Sequence, residues 1–303
     1  MGSDVCASGE NLYGRVIDVG SKVVFCKEKC PNVEKSLKEG VLPRVLYAEP
    51  FLVDNPQEAC RILEAAERAR LIILGASPGH IMSFEKALYK QLLKYMNALE
   101  KPPEPGSERA RTVFRELHRI WLEALGGWYF KCRGGNVEFR GEYRRKFRFL
   151  RYVRRMKEFL AYLYCHGNPL GLSRGDVIIW GELAFCQPSK KGAEIRRAAY
   201  KCMHHLKELA SHVDIVLVTP TSEFLDDTGG KKQFKREFTE KLRSIFKGIF
   251  KAPIIGIPHP SRGKPFPNPS DKGEWERIAM EMKSVIEERG TRFINTTISR
   301  KSQ

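Results

Sequence analysis

Hydrophobic residues along this chain fall into two alternating patterns. Four short, almost unbroken apolar runs, LIILG (71–75), VIIWGELAF (177–185), DIVLVTP (214–220) and APIIGIP (252–258), are each bounded by Gly, Pro or polar turn residues. Runs of that length, apolar on both side-chain faces, predict β-strands covered on both sides, as in a parallel sheet. Between them, stretches 57–70, 82–100, 108–125, 192–211, 234–248 and 271–289 carry apolar residues at helical spacing. Pro31 and the Gly40…Pro43 pair bracket one more helix near the N-terminus. Strands alternating with helices predict an α/β fold, here a three-layer α/β/α domain with a four-stranded, mainly parallel sheet. KPPEPGS (101–107) reads as a loop or a boundary, and GGWYFKCRGG (126–135) as a turn-rich stretch.

One segment breaks the alternation. From Phe139 to Lys157 there are nine Lys or Arg residues, five aromatics and a single Glu. Tyr143, Phe147, Leu150, Val153, Met156 and Leu160 share one helical face, while Arg144, Arg148, Arg151 and Arg155 share another. The basic face is either an ordinary solvated surface or a helix that lies along a phosphate backbone. Residues of about 100–165 read as a basic, aromatic insertion in a single domain spanning 1–303.

The charge extends this picture to the whole molecule. Its 303 residues carry a formal net charge of +17, with a pI near 9.6. Such an imbalance favours a polyanionic partner, nucleic acid first, over a merely Lys/Arg/Glu-rich surface. The most apolar runs are strand-sized and far short of a bilayer span, and MGSDVCASGENLYG lacks the apolar centre of a signal peptide. The expectation is a cytoplasmic protein without membrane segments. Its eight cysteines are then expected to be reduced, serving as core residues or metal ligands rather than disulfides.

In an open parallel sheet, ligands bind beyond the carboxyl ends of the strands. Three strand exits here carry turn-forming or polar sequence: GASPGH after the first, GELAFC within the second and IPHPSRG after the fourth. GASPG after an apolar strand, ELAFCQPS leading into a helix that ends near Cys202, and PHPS near the C-terminus together resemble the uracil-DNA glycosylase superfamily. The cysteine spacing resembles its iron–sulfur branches. The likeness covers roughly 20–95 and 165–270, and the 100–165 segment has no counterpart.

The resemblance implies a [4Fe–4S] cluster held by Cys26, Cys30, Cys186 and Cys202. Four thiolates suit iron–sulfur or zinc chemistry, although the first pair is spaced C-x3-C where C-x2-C is expected. Cys6, Cys60, Cys132 and Cys165 are spare. The resemblance makes His259 a donor to the oxyanion that develops on the departing base. It places Ser261, Arg262 and Gly263 on a loop that enters the duplex. Gly75, Ala76, Gly79 and His80 would form the base-binding turn, with Phe84 or Tyr89 stacking on the base or simply packing in the core.

Two positions depart from the family pattern. Ser77 stands where several branches carry Asp or Asn to position the attacking water, and a hydroxyl is a poor base at neutral pH. Glu85 could supply that function by analogy, or be a solvated helix residue. Glu182 stands where Asn is expected to read uracil. An ionised carboxylate only accepts hydrogen bonds, so it faces uracil O4 with the wrong polarity unless protonated. Otherwise it accepts from an amino group on a different base, or pairs with a neighbouring cation.

The resulting expectation is a monomeric DNA glycosylase of base-excision repair. It would hydrolyse the N-glycosidic bond of uracil or another deaminated base, with Arg144 and Arg148 contacting DNA. The alternatives are an iron–sulfur DNA-binding protein of the same fold with negligible catalysis, or a zinc-bound nucleic-acid protein outside this superfamily.

Overall fold

The apolar run Leu71–Leu74 lies in an interior strand of the sheet because its side chains are buried on both faces. The computed structural model describes residues 11–26, 46–75, 103–148, 151–183, 185, 199–219, 240, 243–257 and 271–294. Within these, strands β1 (Tyr47–Pro50), β2 (Ala69–Gly75), β5 (Val177–Glu182), β6 (Val213–Thr219), β7 (Ile254–Gly256) and β8 (Thr291–Phe293) form one sheet in the order β1-β5-β2-β6-β7-β8. The five strands from β5 to β8 run parallel, and β1 is antiparallel to β5. Six strands thus form the sheet where periodicity indicates four. The four expected strands are its contiguous centre, and β1 and β8 are its two edges. Pro50 sits at the end of an edge strand, where a missing N–H costs no ladder bond.

The central strand β2 leads to β5 on one side, and the chain then crosses to β6 on the other. The next strands after β2 and β6 thus lie on opposite sides of this neighbouring pair, the strand order at which open parallel sheets bind ligands beyond their carboxyl ends.

Helix α1 (Leu12–Val24) is absent from the sequence reading. Asn11 caps it by accepting from Gly14 N, and Gly20 lets it approach helix α3 (Glu108–Leu125), since a β-carbon there would overlap the Phe114 ring. Helix α2 (Pro56–Ala65) starts at Asn55, which accepts from the N–H groups of Gln57 and Glu58, and it ends five residues short of the expected 57–70 span. Of the expected 192–211 helix, the described part is a turn of α-helix running into a 3-10 turn, Met203–Leu206, and a short helix, Lys207–Ala210. Helix Lys272–Glu287, close to the expected 271–289 span, precedes the last described strand, β8.

The stretch 126–135 holds the first strand of a hairpin, β3 (Phe130–Arg133) with β4 (Asn136–Phe139), turning at Gly134 and Gly135, both with positive φ. The basic segment forms two helices, α4 (Gly141–Lys146) and α5 (Arg151–Cys165). Of the expected apolar stripe, Tyr143, Phe147, Met156 and Leu160 are buried and Val153 is half-buried, while Leu150 lies outside the described residues. The 103–165 segment does not stand apart from the sheet: Phe114, Leu117, Trp128, Met156 and Leu160 belong to one contiguous core with Ile72, Ile179 and Val216.

Two features were not expected from composition. Cys132 and Cys165 form a disulfide, with Cα atoms 5.5 Å apart, so the expectation of reduced thiols fails at this pair. The hairpin packs on the end of α5 and brings the two sulfurs together. Second, the core contains an ion pair. Lys157 Nζ donates to Glu49 Oε1 and Oε2 at 2.6 and 2.7 Å and to Gly127 O at 2.9 Å, and both side chains are 1% exposed.

Candidate functional site at the strand exits

Because β5, β2, β6 and β7 are parallel, their last residues Glu182, Gly75, Thr219 and Gly256 lie at one end of the sheet. Gly75 and Glu182 are register partners. Leu183 N donates to Gly75 O at 2.7 Å and so holds the two exits together. The Glu182 carboxylate occupies the space beside Gly75 that a side chain there would fill. It is buried.

The next exit is tied to the basic insertion. Thr219 Oγ1 donates to Leu74 O at 3.3 Å, so its lone pair is free to accept from Tyr152 Oη, 3.0 Å away. This bond pins the first turn of α5 over the carboxyl end of β6. Tyr152, Val153, Trp121, Tyr47 and Trp180 then enclose a pocket that ends at Glu182. Its volume is about 50 Å³, against the roughly 150 Å³ of a cavity that takes benzene. A ring entering here has to displace part of the wall.

Behind the pocket, Trp180 Nε1 donates to Glu49 Oε1 at 3.0 Å, so the buried ion pair fixes one wall of the site. Lys157 Nζ also lies 4.2 Å from the centroid of Trp128. Burial lowers the Lys157 pKa to about 8 despite the Glu49 charge, and raises that of Glu49 against the pull of Lys157. A lysine with a lowered pKa can act as a nucleophile, but the three N–H groups of this ammonium already have three acceptors. Its contribution is to position Trp180. A second buried polar group, His118, accepts from Ala48 N through Nε2 at 3.1 Å and therefore donates through Nδ1 to Tyr13 Oη, 3.3 Å away. Burial holds its pKa down to about 4, so this imidazole is neutral and ties α3 to β1.

Of the residues singled out in the sequence, Gly75 and Glu182 meet at this site. Ala76, Ser77, Gly79, His80, Phe84, Glu85 and Tyr89, together with His259, Ser261, Arg262 and Gly263, lie outside the described residues, as do Cys30 and Cys186. Cys26 follows the end of α1 and is half-buried, and Cys202 is buried immediately before the 3-10 turn. Helix α1 packs against that turn and the helix after it, where Lys22 Nζ donates to both oxygens of Glu208 at 2.7 and 2.9 Å. The fold thus brings the chain segments carrying Cys26 and Cys202 to one region. Among the described residues, no three His, Cys, Asp or Glu side chains converge as a metal site, and no helix is long and apolar enough to cross a membrane. Arg144 and Arg148 are exposed and lie away from the pocket, against a different face of α5.

Thr219, Tyr152, Tyr47 and Trp121 are site residues that the sequence reading missed. Thr219 alone had a usable signal, as the polar residue ending an apolar strand. Compared with protein-family models, with curated proteins and with solved structures, the chain matches none, so function rests on the residues and their geometry.

Proposed function

We propose that the chain is a DNA glycosylase, built on a three-layer α/β/α scaffold, that hydrolyses the N-glycosidic bond of uracil or another deaminated base. The observation that carries this reading is the position of Glu182. Its carboxylate sits against Gly75, the first residue of the GASPGH sequence, at the carboxyl ends of adjacent parallel strands in an aromatic-walled pocket. A flipped base would enter between the aromatic walls and present its edge to Glu182. His259, on the exit of the fourth expected strand, would donate to the oxyanion on the leaving base. Ser77 or Glu85 would orient the attacking water. An ionised Glu182 accepts only, so it favours a base whose facing edge carries N–H groups. A net charge of +17 supplies salt-dependent attraction to DNA.

Cys26, Cys30, Cys186 and Cys202 would hold the [4Fe–4S] cluster. Thiolates are the ligands such a cluster takes, and Cys26 and Cys202 lie on segments that pack together. The cluster would brace the surrounding loops.

The test is incubation with single- and double-stranded oligonucleotides carrying uracil, hypoxanthine or xanthine, followed by alkali. Strand breaks at one of these bases, lost in His259→Ala and redistributed among bases in Glu182→Asn, are expected. Absence of breaks on every substrate, with DNA binding intact, would replace this reading by that of a non-catalytic DNA-binding protein. Ser77, a poor base at neutral pH where an Asp or Asn is expected, favours that second reading. Iron and acid-labile sulfide in the purified protein support the cluster, whereas stoichiometric zinc in a colourless protein rejects it.

A further inference from the structure

Helix α5 serves two sites with two faces. Tyr152 and Val153 close the strand-exit pocket. Arg154, Arg155, Glu158 and Tyr162 line a separate groove of about 520 Å³, completed by Arg144 and Arg148 from α4 and its following turn and by Trp275 of the C-terminal helix. That volume falls within the roughly 300–1,000 Å³ of small-ligand sites.

The charge of the groove is one-sided. Four guanidinium groups face one carboxylate. Arg154 Nε and Arg155 Nη1 share Glu158 at 3.8 and 3.3 Å, an arrangement that leaves most of their N–H donors uncommitted. No ion pair or hydrogen bond joins Arg144 to another described residue. Between the arginines lies an aromatic floor. Tyr162, half-buried, stacks on the buried Trp275 with centroids 5.0 Å apart and planes at 21°. Trp275 therefore backs the Tyr162 ring and keeps it from folding inward.

We propose that this groove binds a short stretch of single-stranded nucleic acid, with phosphates on Arg144, Arg148, Arg154 and Arg155 and a base against the Tyr162–Trp275 stack. Guanidinium groups fork around phosphate oxygens, and an aromatic floor provides stacking for an unpaired base. A duplex would use the arginines and leave the floor empty, since its bases are already stacked. An acidic peptide would do the same. The inference rests on the nucleic-acid part of the proposed function, and not on base excision.

Fluorescence anisotropy with an undamaged oligo(dT) of roughly a dozen nucleotides tests this. Arg144→Gln/Arg148→Gln should weaken binding about tenfold and flatten the log–log salt slope by roughly 0.7 for each phosphate that is no longer neutralised. The control pair Arg133→Gln/Lys283→Gln removes two exposed cations outside the groove and should change affinity less than about twofold by the same counting. Tyr162→Leu should weaken oligo(dT) but leave duplex affinity unchanged, with circular dichroism melting used to confirm folding. Should that variant unfold, the arginine pairs decide. Equal losses in groove and control pairs overturn the proposal, as does competition by poly-glutamate as effective as that by oligo(dT) of equal charge. Undamaged oligo(dT) offers no base to excise, so its binding can fail while excision persists, and the reverse.

Discussion

The Glu182 carboxylate lies where a side chain on Gly75 would be, so that a single methyl group at Gly75 would overlap it. Gly75 does not have positive φ, so its backbone accepts alanine and the overlap alone sets the cost. Gly75→Ala should therefore destabilise the protein by about 1–3 kcal/mol, as overpacking does, and should displace Glu182 from the pocket. In a Glu182→Ala background the same change should cost little. A double-mutant cycle by urea denaturation measures the coupling, expected at about 1 kcal/mol or more. Additive effects would mean that the two residues do not share this space.

The Lys157–Glu49 pair gives a second prediction. Lys157→Met leaves the Glu49 carboxylate buried beside Trp180 without its cation. It should cost about 3–5 kcal/mol. Replacing both partners, Glu49→Met/Lys157→Met, removes the stranded charge and should recover most of that loss. Chemical denaturation of the three variants checks the order. In the double variant Trp180 loses its acceptor, so any activity should fall further than stability does.

These sites also show what the chain's pattern could reveal. The four central strands are legible because LIILG and its counterparts are apolar on both faces, the signature of doubly covered strands. β1 is not, because YAEP carries a glutamate that is buried and neutralised by a lysine 108 residues away. Pattern reading assigns such a residue to the surface. β8, three residues long, is too short for any period. α1 escapes detection because Gly14 and Gly20 interrupt its sequence, yet Gly20 is what allows close approach to Phe114. Glu182 can be placed at a strand exit from sequence alone. Its aromatic walls cannot, since Tyr47, Trp121 and Tyr152 come from segments whose proximity only the fold creates.

His118 predicts how stability responds to acid. Its pKa is about 4 in the folded protein and about 6.5 when exposed, so the unfolded chain binds the proton first. Stability from this group is complete above about pH 6.5 and is lost as pH falls toward 4, by about 3 kcal/mol in total. The raised carboxyls of Glu49 and Glu158 act in the opposite sense, gaining stability as they protonate. Their contribution is common to wild type and variant. His118→Gln should be less stable at pH 7 yet show a flatter pH dependence across this window, read from urea midpoints at half-unit steps. Parallel curves would reject a buried neutral imidazole.

The disulfide gives the last prediction. Cys132 is on the exposed part of β3 and Cys165 is the final residue of α5, 33 residues apart. Closing a loop of that length restricts the unfolded chain by about 3–4 kcal/mol in the chain-entropy account. Reduction, Cys132→Ser and Cys165→Ser should each lower stability by that amount. The double serine variant should lose no more than either single, because one bond is broken in every case. The hairpin and α5 remain joined through the packing of Phe130 and Phe139 against Tyr164 and Tyr162, so the reduced protein should still fold. Additive losses in the double variant, or no response to reductant, would show that the two thiols contribute by packing and not by a bond.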